Sequence, residues 1–360
     1  MPRPISAEID LEALRRNLGV MREKAQGRTL WAVVKANAYG HGLDHAVKAF
    51  ADADGLATID LCDAEIARRC GWGKRILLLE GFFDKEDIKP LQALKVETVV
   101  HSPWQIEILK NTSPDERRDV RVHVKVNSGM NRLGFRPAEA PAAAAALAAI
   151  PGVRVIDYVT HFANAELSAD SAPVTVGGQL SAMGALAEGR ACLANTGAIL
   201  FHPEVGGEAV RAGVALYGVS PDDKVSSEAL GLTPAMTLGA EIIAIQEVLP
   251  GESVGYGSRW KAARPSRIAV VACGYADGYP RTMPDGAPVW VEGARAPLAG
   301  AVSMDMLTID VTDVPQAHVG SKVELWGRHI AVNDLARMCG TIGYELLCAL
   351  ARRVPLVLKG

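Results

Sequence analysis

Lys35 closes the apolar run Trp31-Ala-Val-Val34, and the turn Asn37-Ala-Tyr-Gly-His-Gly42 follows it. A partly buried lysine has a lowered pKa and can act as nucleophile or base toward a carbonyl. The same side chain can also run its stem along apolar surface and leave its charge in water. The glycine-rich turn with one tyrosine suits a phosphate or a cofactor edge. Farther on, Asn195-Thr196-Gly197 and Arg211-Ala-Gly213 combine a hydroxyl with backbone amides that glycine leaves approachable. Alone, Asn-Thr-Gly is usually a turn; beside a reactive lysine it reads as a phosphate cradle. Lys125, with Arg132 just beyond it, and His161 are further polar residues at the ends of apolar runs. His161 taken alone also fits a hydrogen-bonded core histidine.

Positioning these groups falls to a repeating pattern. A short apolar run is followed by an amphipathic stretch of helical length, eight times in the first two-thirds of the chain. The expected strands are Leu30–Lys35, Gly55–Ile59, Arg75–Leu79, Thr98–Val100, Arg121–Val126, Val155–Thr160, Ala191–Ala194 and Val210–Tyr217. Helical patterns lie between most of them, and the cycle from Glu166 to Gly189 is the least defined. Such a series predicts a (β/α)8 TIM-type barrel over residues 1–231, with chemistry at the C-terminal strand ends. Lys35, Lys125, His161 and Asn195-Thr196 fall at or just past such ends, Arg132 lies just beyond Lys125, and Arg211 lies on the eighth strand. Beyond Thr233 short strands alternate with turn clusters, predicting a C-terminal mainly antiparallel β domain over residues 232–360, closed by a helix from Val332 to Arg352.

Composition narrows the function classes. The chain has 360 residues, 49% apolar and 22% charged, enough for two globular domains. A net charge of −3 gives no footprint for nucleic acid or an anionic membrane. No apolar run spans a bilayer, and the first ten residues hold no apolar signal core. The six cysteines form neither a metal-ligand spacing nor a disulfide framework, so a cytoplasmic setting is expected.

The motifs, in order, resemble those of bacterial alanine racemases. Val33-Val-Lys35-Ala-Asn-Ala-Tyr-Gly-His-Gly42 is similar to that family's cofactor-lysine motif. Lys125-Val-Asn-Ser-Gly-Met-Asn-Arg-Leu-Gly-Phe135, Thr160-His-Phe162 and Val210-Arg-Ala-Gly-Val-Ala-Leu-Tyr-Gly218 resemble its barrel motifs. Val254-Gly-Tyr-Gly257, Gly274-Tyr-Ala-Asp-Gly-Tyr279, Val302-Ser-Met-Asp-Met306 and Ile342-Gly-Tyr-Glu345 extend the likeness through the second domain. The resemblance implies interconversion of L-alanine and D-alanine with pyridoxal 5'-phosphate, for peptidoglycan or for degradation of D-alanine. It implies a homodimer with shared active sites. Lys35 would carry the cofactor. Tyr39, Thr196, Tyr344 and the amides of Gly213 and Val214 would hold its phosphate, with Asn195 at that strand end. His161 would lie beside the ring and bond Arg211. Arg132 would face the cofactor's phenolic oxygen and the substrate carboxylate. Tyr256 and the Met304 amide would arrive from the other subunit, and Tyr275 would narrow the entrance. Lys125 would be a possible carbamylated lysine. Ala212, Ala301 and Thr196 depart from common residues of the family without removing a catalytic group.

Inversion needs a proton taken from one face of Cα and returned to the other, which two bases on opposite faces accomplish directly. Lys35 and Tyr256 would be that pair. A tyrosine is a poor base at its ordinary pKa of about 10 and needs positive charge nearby. Arg211 discriminates among functions. A guanidinium is donor-only, so a pyridine nitrogen facing it stays an unprotonated acceptor. A carboxylate there would favour the amino-acid decarboxylases of the same fold class. A non-catalytic pyridoxal phosphate-binding protein would not need Tyr256 or Met304.

Overall fold

The computed structural model describes residues 3–167 and 171–359. The chain forms two compact units. One comprises Arg15–Ala38 and Leu43–Leu216; the other comprises Met1–Leu14, Tyr39–Gly42 and Tyr217–Gly360. No helix among the described residues is long and apolar enough to cross a membrane.

The first unit is a closed barrel of eight parallel strands: Thr29–Val33, Gly55–Thr58, Arg75–Leu78, Glu97–Val100, Val120–Lys125, Val153–Val159, Ala191–Cys192 and Ala209–Ala212. Thr29–Val33 pairs in parallel with Ala209–Ala212 and closes the ring. Gly55-Leu-Ala-Thr58 and Glu97-Thr-Val-Val100 are buried at every position, as expected where helices cover one face and side chains fill the other. Gly55 has a local reason: an added Cβ would lie 2.3 Å from the Trp31 ring. Helix starts follow the sequence. Asp60 accepts from the Cys62 amide, Thr175 from Gly178 and Asn195 from Ala198, each satisfying a donor that a helix leaves open.

The second unit holds a mainly antiparallel sheet organised on the long strand Met236–Val248, with Ile5–Asp10 pairing in parallel with Leu356–Lys359. The long strand pairs with Ile5–Asp10, Ser266–Val271 and Lys322–Trp326, and register shifts at Leu238/Gly239 and Ile242/Ala244 bend it between those partners. Two-residue strands, Ser253–Val254 and Trp260–Lys261, bracket the loop of Tyr256.

Several elements differ from expectation. The strand expected to end at Lys35 ends at Val33, and Lys35–Tyr39 forms a separate turn. The strand expected to reach Tyr217 stops at Ala212, and Val214–Tyr217 winds into a short 3-10 turn. The closing helix is two helices, Val332–Met338 and Gly343–Cys348, parted where Gly340 takes a φ of 71°. In the least defined cycle, Val176–Met183 is helical, and residues 168–170 lie outside the described residues.

Among the apolar residues of the barrel strands lies one buried ionic cluster. Arg121, His123 and Lys125 alternate along one strand and so share a face. His123 is fully buried, with Nδ1 2.5 Å from Asp157 and Nε2 2.8 Å from Glu97. Both partners are carboxylates, so both ring nitrogens donate and the ring is an imidazolium. Arg75 makes a two-pronged contact with Glu97 at 2.7 Å on each arm and lies over the Trp31 ring at 4.6 Å. Burial opposes the His123 charge, but bonds from Asp157 and Glu97 outweigh it and raise the pKa to about 8 from an ordinary 6.5. A raised pKa means the stabilisation is complete below about pH 6.5 and is lost as pH rises through about 8, a contribution of about 2 kcal/mol. The melting temperature should therefore fall between pH 6.5 and 8.5 through this residue. His123→Ala, which leaves two buried carboxylates facing each other, should cost about 3–5 kcal/mol at pH 6.5. Thermal denaturation of both proteins across that range is the check, and an unchanged melt in the variant would contradict the imidazolium assignment.

Candidate active site

The strand carrying Trp31-Ala-Val33 delivers Lys35 to the mouth of the barrel, where it is half-buried. The backbone then does something unusual for residues with a Cβ. Ala36, Asn37 and Ala38 sit at φ 52–54° and ψ 47–52°, and Tyr39 follows at φ 52°. Left-handed backbone costs L-residues about 1–2 kcal/mol each and rarely runs past one residue. Here one left-handed turn forms, closed by a 2.9 Å bond from the Ala38 amide to the Val34 carbonyl. Asn37 Oδ1 accepts from the Leu43 amide at 2.9 Å, tying down the far side. Strain of this size persists where the surroundings over-determine the conformation, and such places cluster at functional sites.

Arg211 is buried in the last barrel strand and meets carbonyls instead of a carboxylate. Its Nη2 donates to Thr160 O at 2.6 Å and Leu193 O at 3.2 Å; its Nη1 donates to Cys192 O at 2.8 Å and Cys192 Sγ at 3.1 Å. Nη2 also reaches His161 Nδ1 at 3.4 Å. Because a guanidinium only donates, that ring nitrogen is an acceptor and the imidazole proton sits on Nε2. The long 3.5 Å approach of Asn195 Nδ2 to Nε2 is therefore a contact between two donors. The Asn195 amide is held independently, donating to Phe162 O at 3.1 Å while Oδ1 accepts from Ala198.

Lysines and arginines converge on this point. Burial, then Arg211, Lys125, Arg132 and Lys35, push the His161 pKa far below its ordinary value, so the ring is neutral. Burial, then Arg211 and Arg132, with Lys35 adding, bring Lys125 from 10.5 down to about 7. Lys125, Arg132 and His161 line one small cavity with Asn127, Ser128 and Met130. The loop around it is fixed by contacts that the sequence did not announce. Gln179, buried on the helix Val176–Met183, donates to Ser128 Oγ at 2.9 Å and His161 O at 3.0 Å and accepts from the Ala163 amide. Thr160 Oγ1 donates to Val126 O at 2.9 Å.

Thr196 lies at the first position of the helix Thr196–Phe201 and accepts from the Gly213 amide at 2.7 Å. Its own hydroxyl proton is then available to a ligand. In the second unit, Tyr39 stacks on Tyr217 with centroids 4.7 Å apart and meets Tyr344 at 6.1 Å. Burial, with Tyr344 and Cys348, pushes the Tyr39 hydroxyl well above its ordinary value, so it is a donor. Tyr256 is 71% exposed and Met304 53% exposed, and Tyr275 is also open to solvent. The structure thus brings together Lys35, Lys125, Arg132, His161 and Arg211. Asn195 with Thr196 and Gly213 forms a second group, and Tyr39 with Tyr344 a third.

The donor set fits pyridoxal phosphate. A half-buried amine suits its carbonyl, a hydroxyl beside backbone amides suits its phosphate, and the local excess of cations suits an anion. Sequence reasoning missed Gln179, Thr160 and the Glu97–His123–Asp157 layer. The alternation of Arg121, His123 and Lys125 was the available signal, since inward polar residues in a barrel strand demand partners.

Comparison with known proteins covers both units. Family models described as "Alanine racemase, N-terminal domain" and "Alanine racemase, C-terminal domain" match residues 9–221 and 235–358. The chain is 48% identical over 360 residues to an alanine racemase of Janthinobacterium sp. (strain Marseille), spanning 99% of each. It is 46% identical to a catabolic alanine racemase of Klebsiella aerogenes, again over 99% of each. The crystal structure of the biosynthetic alanine racemase from Pseudomonas aeruginosa superposes with a TM-score of 0.94 at 44% identity, covering 99% of this chain and 100% of that one.

Proposed function

The chain belongs to the alanine racemase family and interconverts L-alanine and D-alanine with pyridoxal 5'-phosphate, and we propose that Lys35 and Tyr256 are its two acid–base residues, supplied to each site by two copies of the chain. The observation that carries this reading is Arg211, a buried guanidinium held by carbonyl oxygens beside a neutral histidine. It favours a racemase over a decarboxylase because it offers the cofactor ring nitrogen a donor that never surrenders its proton.

When bound, the cofactor draws electron density from the substrate Cα and so acidifies its hydrogen. The protein's residues decide where that proton goes. Lys35 takes or returns it on one face, and Tyr256 of the partner copy does so on the other. Thr196, its hydroxyl oriented by the Gly213 amide, would hold the phosphate with the Val214 amide and the hydroxyls of Tyr39 and Tyr344, while Asn195 fixes the strand end before Thr196. Arg132 and the amide of Met304 take the substrate carboxylate. His161, with its proton on Nε2, donates toward the Tyr256 oxygen and so orients it.

The homodimer reading rests on residues 232–360, where Tyr256, Tyr275, Met304 and Met306 stand exposed. Large apolar and aromatic side chains left exposed in one unit suit a subunit interface. Six free cysteines fit work in a reducing cytoplasm.

Sharing is tested by mixing Lys35→Ala and Tyr256→Phe dimers after reversible dissociation. Sites built in trans give hybrids with one intact and one doubly altered site, so activity returns toward half of the wild-type value per hybrid. Sites built in cis keep a lesion in each, and no recovery in proven hybrids would refute the arrangement.

We also propose that Lys125 carries a carbamate. An amine brought to about 7 is largely neutral above that pH, attacks the carbon of carbon dioxide and releases a proton. The resulting anion would hold the Arg132 fork by charge-assisted hydrogen bonds where an ammonium repels it. Lys125→Ala should lose at least roughly tenfold in activity and regain part of it with acetate. Full activity without any additive would rule the carbamate out.

A further inference from the structure

The turn Val302–Met306 presents the Met304 amide, which the function above gives to the substrate carboxylate. That turn is held with unusual completeness. Four consecutive carbonyls each accept a hydrogen bond. Arg281 Nη1 donates to Val302 O at 2.6 Å, the Tyr275 amide to Ser303 O at 2.9 Å, the Ala276 amide to Met304 O at 3.0 Å, and Arg3 Nη2 to Asp305 O at 2.5 Å. The Ser303 amide closes the turn on Met306 O at 2.9 Å. Met304 is exposed, and because Ser303 O is taken by the Tyr275 amide, the Met304 N–H, on the other side of that trans peptide, points the opposite way.

These contacts converge on one carboxylate. The Asp277 side chain is fully buried and belongs to the segment Gly274-Tyr-Ala-Asp277 that grips the turn. Its Oδ1 accepts from Arg3 Nη1 at 2.8 Å and Arg353 Nε at 2.7 Å. Its Oδ2 accepts from Arg3 Nη2 at 3.1 Å and the Gly274 amide at 2.9 Å. Burial raises the Asp277 pKa, but the bonds from Arg3, Gly274 and Arg353 outweigh it and hold the group ionised. Both arginines then continue to the turn: Arg3 to the Asp305 carbonyl, Arg353 Nη2 to the Asp305 carboxylate at 2.7 Å. Gly274 allows the close approach, since an added Cβ would lie 2.3 Å from Ser303 O and 2.4 Å from Met304 O.

We propose that Asp277 is a positioning residue for carboxylate recognition: through Arg3 and Arg353 it locks the Val302–Met306 turn so that the Met304 amide stands ready for the substrate. This rests on the role given to Met304. Two ends of the chain are recruited to it, Arg3 from before the first strand and Arg353 from before the last. The asymmetry has physical sense. A backbone amide cannot be tuned by its own side chain, so its direction is set by whatever holds the neighbouring peptides, and charged hydrogen bonds around a buried anion do this most firmly.

The test compares two ligands of the holoenzyme dimer, alanine and ethylamine, the second being an amine without a carboxylate. Asp277→Asn and Arg3→Gln are each assayed for alanine KM and kcat and for ethylamine affinity, with circular dichroism to confirm folding. Arg3→Gln spares the Arg353 contacts and remains informative should Asp277→Asn not fold. The lock predicts an alanine KM raised by roughly tenfold or more with ethylamine affinity unchanged, and Arg3→Lys restoring part of the loss. Met304→Pro, which removes the amide itself, separates the layers. If Met304→Pro loses the preference for alanine while Asp277→Asn and Arg3→Gln keep it, the lock is wrong and the role of Met304 stands. If all three keep it, the role of Met304 fails and the lock fails with it. Parallel loss of both ligands in the Asp277 and Arg3 variants would mean general loosening and would also overturn the proposal.

Discussion

A guanidinium held by carbonyls is the constraint on which the rest of this site depends. Arg211 donates to Thr160, Cys192 and Leu193 oxygens, so its charge is oriented without being neutralised. Had a carboxylate met it, the local field would fade within a few ångströms. Instead Arg211, Arg132 and Lys35 act together in a water-poor barrel mouth, where like charges are felt strongly. Burial and, after it, these like charges bring Lys125 to about 7 and hold His161 neutral, while the donor-only Arg211 places the His161 proton on Nε2. A site so short of negative charge is matched to a ligand that brings it, as a phosphate and a carboxylate do.

The fold meets this demand with two kinds of rigidity. Beneath the mouth, the Glu97–His123–Asp157 layer, extended by Arg75, is a fully paired ionic core. It adds no net charge to the barrel interior, because the imidazolium and the guanidinium balance the two carboxylates. At the mouth, rigidity is stored as strain. The left-handed turn after Lys35 spends several residues in backbone that L-amino acids avoid, and the Asn37 bond to Leu43 keeps it there. A more relaxed chain would leave the lysine free to wander over several rotamers, which a base acting at one carbon cannot tolerate.

Much of this was legible in the sequence, for reasons that differ by element. The eight buried strands declared themselves because continuous apolar runs between helical patterns have few other uses. Lys35, Arg211 and Thr196 stood out because each interrupts or ends such a run. The left-handed turn was not legible: Ala36-Asn-Ala-Tyr39 contains no glycine, and local propensity opposes the conformation that tertiary contacts impose. Ile5–Asp10 was passed over because its partners lie more than 200 residues away, at Met236–Ala240 and Leu356–Lys359. The split of the last helix at Gly340 could have been read from the glycine itself. Gln179 was hidden in a stretch of small residues whose pattern carried little signal, and only the structure shows it tied to the His161 peptide.

In this site two different residues would exchange the Cα proton on two faces, Lys35 on one and Tyr256 on the other. The most direct measurement is Cα–deuterium exchange by the Tyr256→Phe holoenzyme in heavy water, followed separately from each enantiomer by mass spectrometry. Exchange from L-alanine should fall by about a hundredfold or more, the size of a lost general base, while exchange from D-alanine continues with retention of configuration through Lys35. Equal loss from both enantiomers, or undiminished exchange from L-alanine, would contradict it.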